Sequence, residues 1–106
     1  MERLILKMKI DLTTSFTNEN GQNIKDGEQD LTIGKVITTA ILSPMKDDDK
    51  LTGEEKANLF NLWFDKIRNK KTADLEPEEI ILIKERVGKA YAQIIVGQSF
   101  KILKGK

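Results

Sequence analysis

Leu4, Leu6, Met8, Ile10 and Leu12 alternate with Ile5, Lys7, Lys9 and Asp11, the period of two that a strand with one wet face requires. Residues 3 to 12 are expected to form a strand. Met8 opens a second plausible start, Met-Lys-Ile-Asp-Leu, which would make the first seven residues a leader of little structural weight; the alternation back to Leu4 argues against it. From Thr13 to Asp30 the chain is polar and punctuated by Asn20-Gly21 and Asp26-Gly27, dipeptides suited to tight turns. They predict a hairpin in which Phe16 ends one arm and Gln22 to Lys25 form the next, with Ile24 as its single inward anchor. An ordered surface loop is the competing reading of this stretch.

The period then changes. Thr32 can cap a first helix, in which Ile33, Val36, Ile37, Ala40 and Ile41 share one face and which Pro44 ends. Its β-branched content lowers helix propensity, so tertiary packing must stabilise it, and a strand is the alternative. Pro44 to Leu51 connects to Thr52 and Glu55, which have capping-box spacing. A second helix is predicted from there to about Asn69, with Phe60, Trp63, Phe64 and Ile67 inward beside Ala57, and Lys56, Asn61, Asp65 and Arg68 outward. A third begins at Pro77 among Glu76, Glu78 and Glu79, acids near the positive end of its dipole. Ile80, Ile83, Val87, Ala90, Tyr91 and Ile94 form its stripe. Gly88 inside it suggests close approach by another backbone or a bend. Gly97 is the expected break before a terminal helical segment, Gln98 to Leu103.

These elements add up to an α+β fold: a short N-terminal strand or β-hairpin packed on a three-helix bundle, or a four-helix one if the terminal segment is included. One domain is expected over 1–106, with a strand and hairpin region at 1–30 and a helical region at 31–106. At 106 residues a chain buries roughly 60 to 68% of its unfolded surface, enough for one modest core. Hydrophobic residues at 39% and charged residues at 33% separate it from disordered chains, which are poorer in apolar side chains.

Composition narrows the chemistry. Cys 0 and His 0 remove thiol nucleophiles, thiolate metal sites, and the usual general base and nitrogen ligand. No cofactor and no catalytic residue is predicted, and the chain is read as a non-enzyme. Asp47, Asp48 and Asp49 do not make an EF-hand, because Leu51 would fall at a ligand position and no glycine marks the turn. Glu76, Glu78 and Glu79 are explained by a helix start. No apolar run approaches the eighteen or so residues of a membrane span, and Leu4-Ile5-Leu6 is too short for a signal-peptide core. A cytoplasmic location is expected, with no membrane partner and no small-molecule substrate.

Two clusters remain. Phe60, Trp63 and Phe64 are the bulkiest apolar group; core packing is their default reading, and an exposed patch on a protein interface is the functional one. Lys66, Arg68, Lys70 and Lys71 are the densest positive run, but Asp65 and Asp74 flank it and the formal net charge is only +1. Nucleic-acid binding through these four is therefore the weaker alternative.

Asp30-Leu31-Thr32-Ile33-Gly34-Lys35-Val36, then Gly53-Glu54-Glu55-Lys56 leading to Leu62-Trp63, then Glu78-Glu79-Ile80, Ile83 to Tyr91 and Val96-Gly97-Gln98 together resemble a family of small uncharacterised bacteriophage and prophage proteins. Most of the chain is covered. The resemblance implies a viral or prophage origin and synthesis in the host cytoplasm, and it carries over no catalytic residue. Small phage proteins are commonly assembly factors, virion components or modulators of host proteins. The combined expectation is a protein-binding module, acting on a partner protein or on itself as a homo-oligomer, with Trp63, Phe64 and Arg68 as contact residues and Tyr91 and Phe100 behind them.

Overall fold

The computed structural model describes residues 7–104, the side chain of Asp47 excepted; expected strand residues 3 to 6 and the leader question lie outside the described residues. In chain order come β1 (Met8–Asp11), β2 (Lys25–Asp26), β3 (Gln29–Asp30), α1 (Ile33–Leu42), a 3-10 turn (Lys46–Lys50), α2 (Gly53–Leu62), a π-helical turn (Trp63–Ile67), β4 (Thr72–Leu75), α3 (Pro77–Ala90) and α4 (Gln93–Leu103). The fold is α+β.

β1 pairs antiparallel with β4, Met8 opposite Leu75 and Ile10 opposite Ala73. Because alternate side chains share a face, Ile10, Ala73 and Leu75 enter the core together, and Leu12 follows one step beyond the strand. The Leu12 amide donates to the Lys71 carbonyl at 2.8 Å, extending the ladder. β4 is absent from the sequence reading: Thr72-Ala73-Asp74-Leu75 alternates over four residues only, between a basic run and a helix start.

The segment between β1 and α1 folds as two small turns. Asn18 Oδ1 accepts from the amides of Asn20 and Gln22, at 2.8 and 3.0 Å, and Gly21 supplies the positive φ of 79°. Thr17 and Asn23 bridge across it. β2 and β3 close around Gly27, whose φ of 71° at the first central position of a two-residue turn suits a hairpin. Phe16 is fully buried and Ile24 half-buried. The Gln98 side chain reaches this segment from α4, donating to the Thr17 carbonyl at 2.8 Å and accepting from the Thr17 amide at 3.1 Å.

α1 is a helix, capped by Thr32 Oγ1, which accepts from the Lys35 amide at 3.3 Å. Its five predicted inward residues are all buried. Gly34 is where α1 meets the end of β1: a Cβ there would stand 3.0 Å from the Leu12 carbonyl oxygen and 3.3 Å from Leu12 Cβ. α1 packs chiefly against α3, and α4 packs against α3. Arg86 of α3 is buried and ties these layers together. Its Nε donates to the Ala40 carbonyl at 2.7 Å, and Nη2 donates to the carbonyls of Ile41 and Ser43 at 3.3 and 3.2 Å. These are oxygens at the end of α1 that no helical amide can reach.

Three helix predictions need correction. Ala57, Phe60 and Phe64 were expected to face inward, but the buried residues of this segment are Leu59, Leu62 and Ile67, and the two phenylalanines are 48% and 42% exposed. The helix also changes pitch, since the Arg68 amide donates to the Trp63 carbonyl five residues back; this extra residue per turn rotates the faces. The expected single helix through Ile94 instead breaks at Tyr91 and Ala92, both extended. Gly97 is therefore interior to α4, and Ala90 and Ile94 are exposed. At Gly88 and Gly97 an added Cβ would meet nothing within 4 Å, so no backbone approaches either.

Candidate functional site

The corrected face of α2 carries the candidate site. Phe60 and Phe64, four residues apart, stack with centroids 5.6 Å apart and planes tilted 25°. The Arg68 guanidinium carbon lies 4.2 Å from the centre of the Phe64 ring, within range of a cation–π contact. Trp63 sits behind them, half-buried, with its ring 5.8 Å from Phe60 and 6.3 Å from Phe64. Its Nε1 donates to Thr38 Oγ1 of α1 at 3.1 Å, and that hydroxyl donates to the Gly34 carbonyl at 2.8 Å. The indole is thus fastened to α1 while the two phenyl rings stand out as a ledge. Leaving each phenyl ring about half exposed forgoes roughly 1 kcal/mol of burial free energy.

On one side the ledge runs into a groove of about 310 Å³, where Phe60 and Lys56 face Leu42, Pro44 and Leu51. Leu42 is 44% exposed, so apolar surface continues across from α2 to the end of α1. On the other side Trp63 and Arg68 border a cleft of about 520 Å³, whose wall also includes Lys35, Thr38, Asn69 and Lys70. Asn69 takes a φ of 58°, tolerable for asparagine, as the chain turns from the π-helical turn towards β4.

Charges around the cleft are unevenly matched. Lys35 Nζ donates to neutral oxygens, Gln29 Oε1 at 2.9 Å and the Asp30 carbonyl at 3.2 Å. The Asp30 carboxylate accepts from Lys25 at 2.7 Å. Lys25 chiefly, with help from Asn23 and the more distant Lys35 against some desolvation, holds the Asp30 carboxyl below its usual range. Neither Arg68 nor Lys70 forms an ion pair among the described residues. Among the described residues Asp26 is the one carboxylate on the cleft wall.

Trp63, Phe64 and Arg68, three of the expected contact residues, therefore come together. Tyr91 and Phe100 do not join them. Tyr91 borders a separate groove with Gly88, Gln93, Val96 and Gly97, and Phe100 lies under the ammonium of Lys84, 5.3 Å away. The basic run also divides. Lys66 bonds both oxygens of Glu79, at 2.8 and 3.0 Å, which removes it from any phosphate-facing set, whereas Arg68, Lys70 and Lys71 are exposed. Sequence reasoning offered Phe60 within an exposed aromatic patch only as the alternative to core packing, and it missed Lys35 as a cleft residue. The sequence signal for Phe60 was partial: Leu59 and Leu62 stand three apart on a competing face, but Ile67 joins them only through the π-helical turn.

Among the described residues no group of three or more acidic, histidine or cysteine side chains could hold a metal ion, and no helix is long and apolar enough to cross a membrane. Comparison with known proteins yields no matching family model, no matching curated protein and no matching solved structure.

Proposed function

We propose that the chain is a non-enzymatic protein-binding module that docks a partner on the ledge of Phe60, Phe64 and Arg68. The observation that carries this reading is the pairing of two exposed, stacked phenyl rings with an indole hydrogen-bonded behind them. Rings held this way lose little side-chain entropy on binding, and buried aromatic and arginine anchors dominate interface energetics. A change to π-helical pitch, often found at functional sites, occurs at the same residues. The inventory without histidine or cysteine supports binding over catalysis.

The resemblance to small phage and prophage proteins supports a role in virion assembly or in modulating a host protein within the bacterial cytoplasm. Nucleic-acid binding is the second reading, favoured by the exposure of Arg68, Lys70 and Lys71; a gel shift at low salt on mixed DNA and RNA separates it from the first.

The test compares the natural chain with a Phe60→Ser/Phe64→Ser variant, both immobilised in bacterial lysate, alongside light scattering of each after size exclusion. A specific protein retained, or a dimer formed, by the natural chain and lost in the variant supports the reading. Identical retention and identical mass for the two contradict it.

A further inference from the structure

The cleft beside the ledge indicates what kind of partner the ledge takes. We propose that the partner is an acidic segment, one that lays an apolar side chain on Phe60 and Phe64 and places a carboxylate among Lys35, Arg68 and Lys70. This rests on the docking reading above and adds the charge of the partner. Three cations line one cleft of about 520 Å³ whose described wall carries the carboxylate of Asp26 alone; none of the three forms an ion pair among the described residues, although Lys35 lies near enough to Asp30 to help hold its carboxyl low. By contrast, Arg86 bonds Asp48 and Lys66 bonds Glu79.

Ledge and cleft adjoin, because Arg68 belongs to both and Trp63, which backs the phenyl rings, stands on the cleft wall. At the opposite end of the ledge Lys56 flanks Phe60 in a groove whose other charged residues, Arg86 and Asp48, are bonded to each other, so a cation stands at each end of the aromatic face. Such a layout attracts acidic partners and repels basic ones, which sets specificity and association rate. A peptide fits better than a nucleic acid. The cations line one cleft with Asp26 beside them, Lys66 is already paired, and the phenyl ledge presents apolar area beside them.

A random peptide display library panned against the full chain tests this, with Phe60→Ser/Phe64→Ser as counter-selection. Trp63, the sole tryptophan, reports binding by its fluorescence. The expected peptides pair an aromatic or aliphatic residue with Asp or Glu. Their affinity falls about tenfold or more in Lys35→Glu/Lys70→Glu, and falls again as salt rises from about 0.05 M to about 0.3 M. Neutral or basic peptides, or acidic ones indifferent to both lysines, would overturn the acidic-partner proposal while leaving the docking reading intact. Recovery of no peptide sensitive to the ledge variant would sink both. A single-stranded oligonucleotide that quenches Trp63 and depends on the same lysines, with no acidic peptide doing so, would replace the proposal with the nucleic-acid reading.

Discussion

The indole nitrogen of Trp63 donates to the hydroxyl of Thr38, 3.1 Å away and twenty-five residues earlier in the chain. That bond joins the π-helical turn to the side of α1 and fixes the back of the aromatic ledge. Because Thr38 Oγ1 spends its own proton on the Gly34 carbonyl, it is left as an acceptor facing the indole.

Thr38→Val keeps the shape and removes the acceptor. The expected loss is about 1 kcal/mol of stability, a fall in Tm of about 4–8 °C for a chain of this size, with easier quenching of Trp63 by acrylamide. An unchanged Tm together with unchanged quenching would show that the bond does not hold the ring.

Arg86 and Asp48 make the buried link at the other end of α1, with Nη1 to Oδ1 at 3.0 Å and Nη2 to Oδ2 at 3.2 Å. Arg86→Ala strands an acid and three helix-end carbonyls, and its cost should be about 3 kcal/mol, at the lower end for a broken buried pair because Asp48 can regain water. Denaturant midpoints at pH 7 measure it. A loss below about 1 kcal/mol would class the pair with ordinary surface bridges.

The same pair sets a pH dependence. Hydrogen bonding to Arg86 first, and to the Met45 amide, holds the Asp48 carboxyl below its usual range against the opposing effect of desolvation. A carboxyl with a lowered folded-state value stabilises the fold above the ordinary carboxyl range near pH 4. That contribution disappears as pH falls further, through the folded-state value. Asp48→Asn should therefore lose less stability than the natural chain between pH 7 and pH 3. Some acid loss remains in the variant, since Asp11 and Asp30 are also held low, by Thr13 and Lys25 respectively. Parallel pH curves for the two chains would refute the assignment.

Glycines separate in the same way. Gly34→Ala must push against the Leu12 carbonyl and should destabilise by about 1–3 kcal/mol. Gly88→Ala, in open space on α3, should stabilise by about 0.5–1 kcal/mol. Thermal melts of the two variants moving in the same direction would contradict the packing described here. Ser99 supplies a further case, because its hydroxyl is buried in α4 without a hydrogen-bond partner among the described residues; Ser99→Ala should be neutral or stabilising by up to about 1 kcal/mol.

How much of this was legible in the chain depends on the element. Thr32 and Thr52 announced the starts of α1 and α2, because a hydroxyl placed before an apolar face leaves few other options. The α2 face was misread for a physical reason: Phe60 and Phe64 stand four residues apart and Leu59 and Leu62 three, both helical spacings. Periodicity cannot rank two adjacent stripes, and bulk favoured the aromatic one. The core took the leucines. The break at Tyr91 carries no glycine or proline, so the apolar stripe appeared to run on to Ile94. Pairings across distance were out of reach too. Lys66 and Glu79 are thirteen residues apart, Arg86 and Asp48 thirty-eight, and only the fold shows that these cations form ion pairs while Arg68 and Lys70 form none among the described residues.

The claim that matters most is where a partner touches. With a partner protein or selected peptide bound, nuclear magnetic resonance shifts of the labelled chain locate the contact directly. The account predicts the largest changes at Phe60, Phe64, Arg68 and the Trp63 indole, fading towards Lys35 and Lys70. Changes centred instead on Tyr91 and Phe100, with the Trp63 indole signal unmoved, would contradict it.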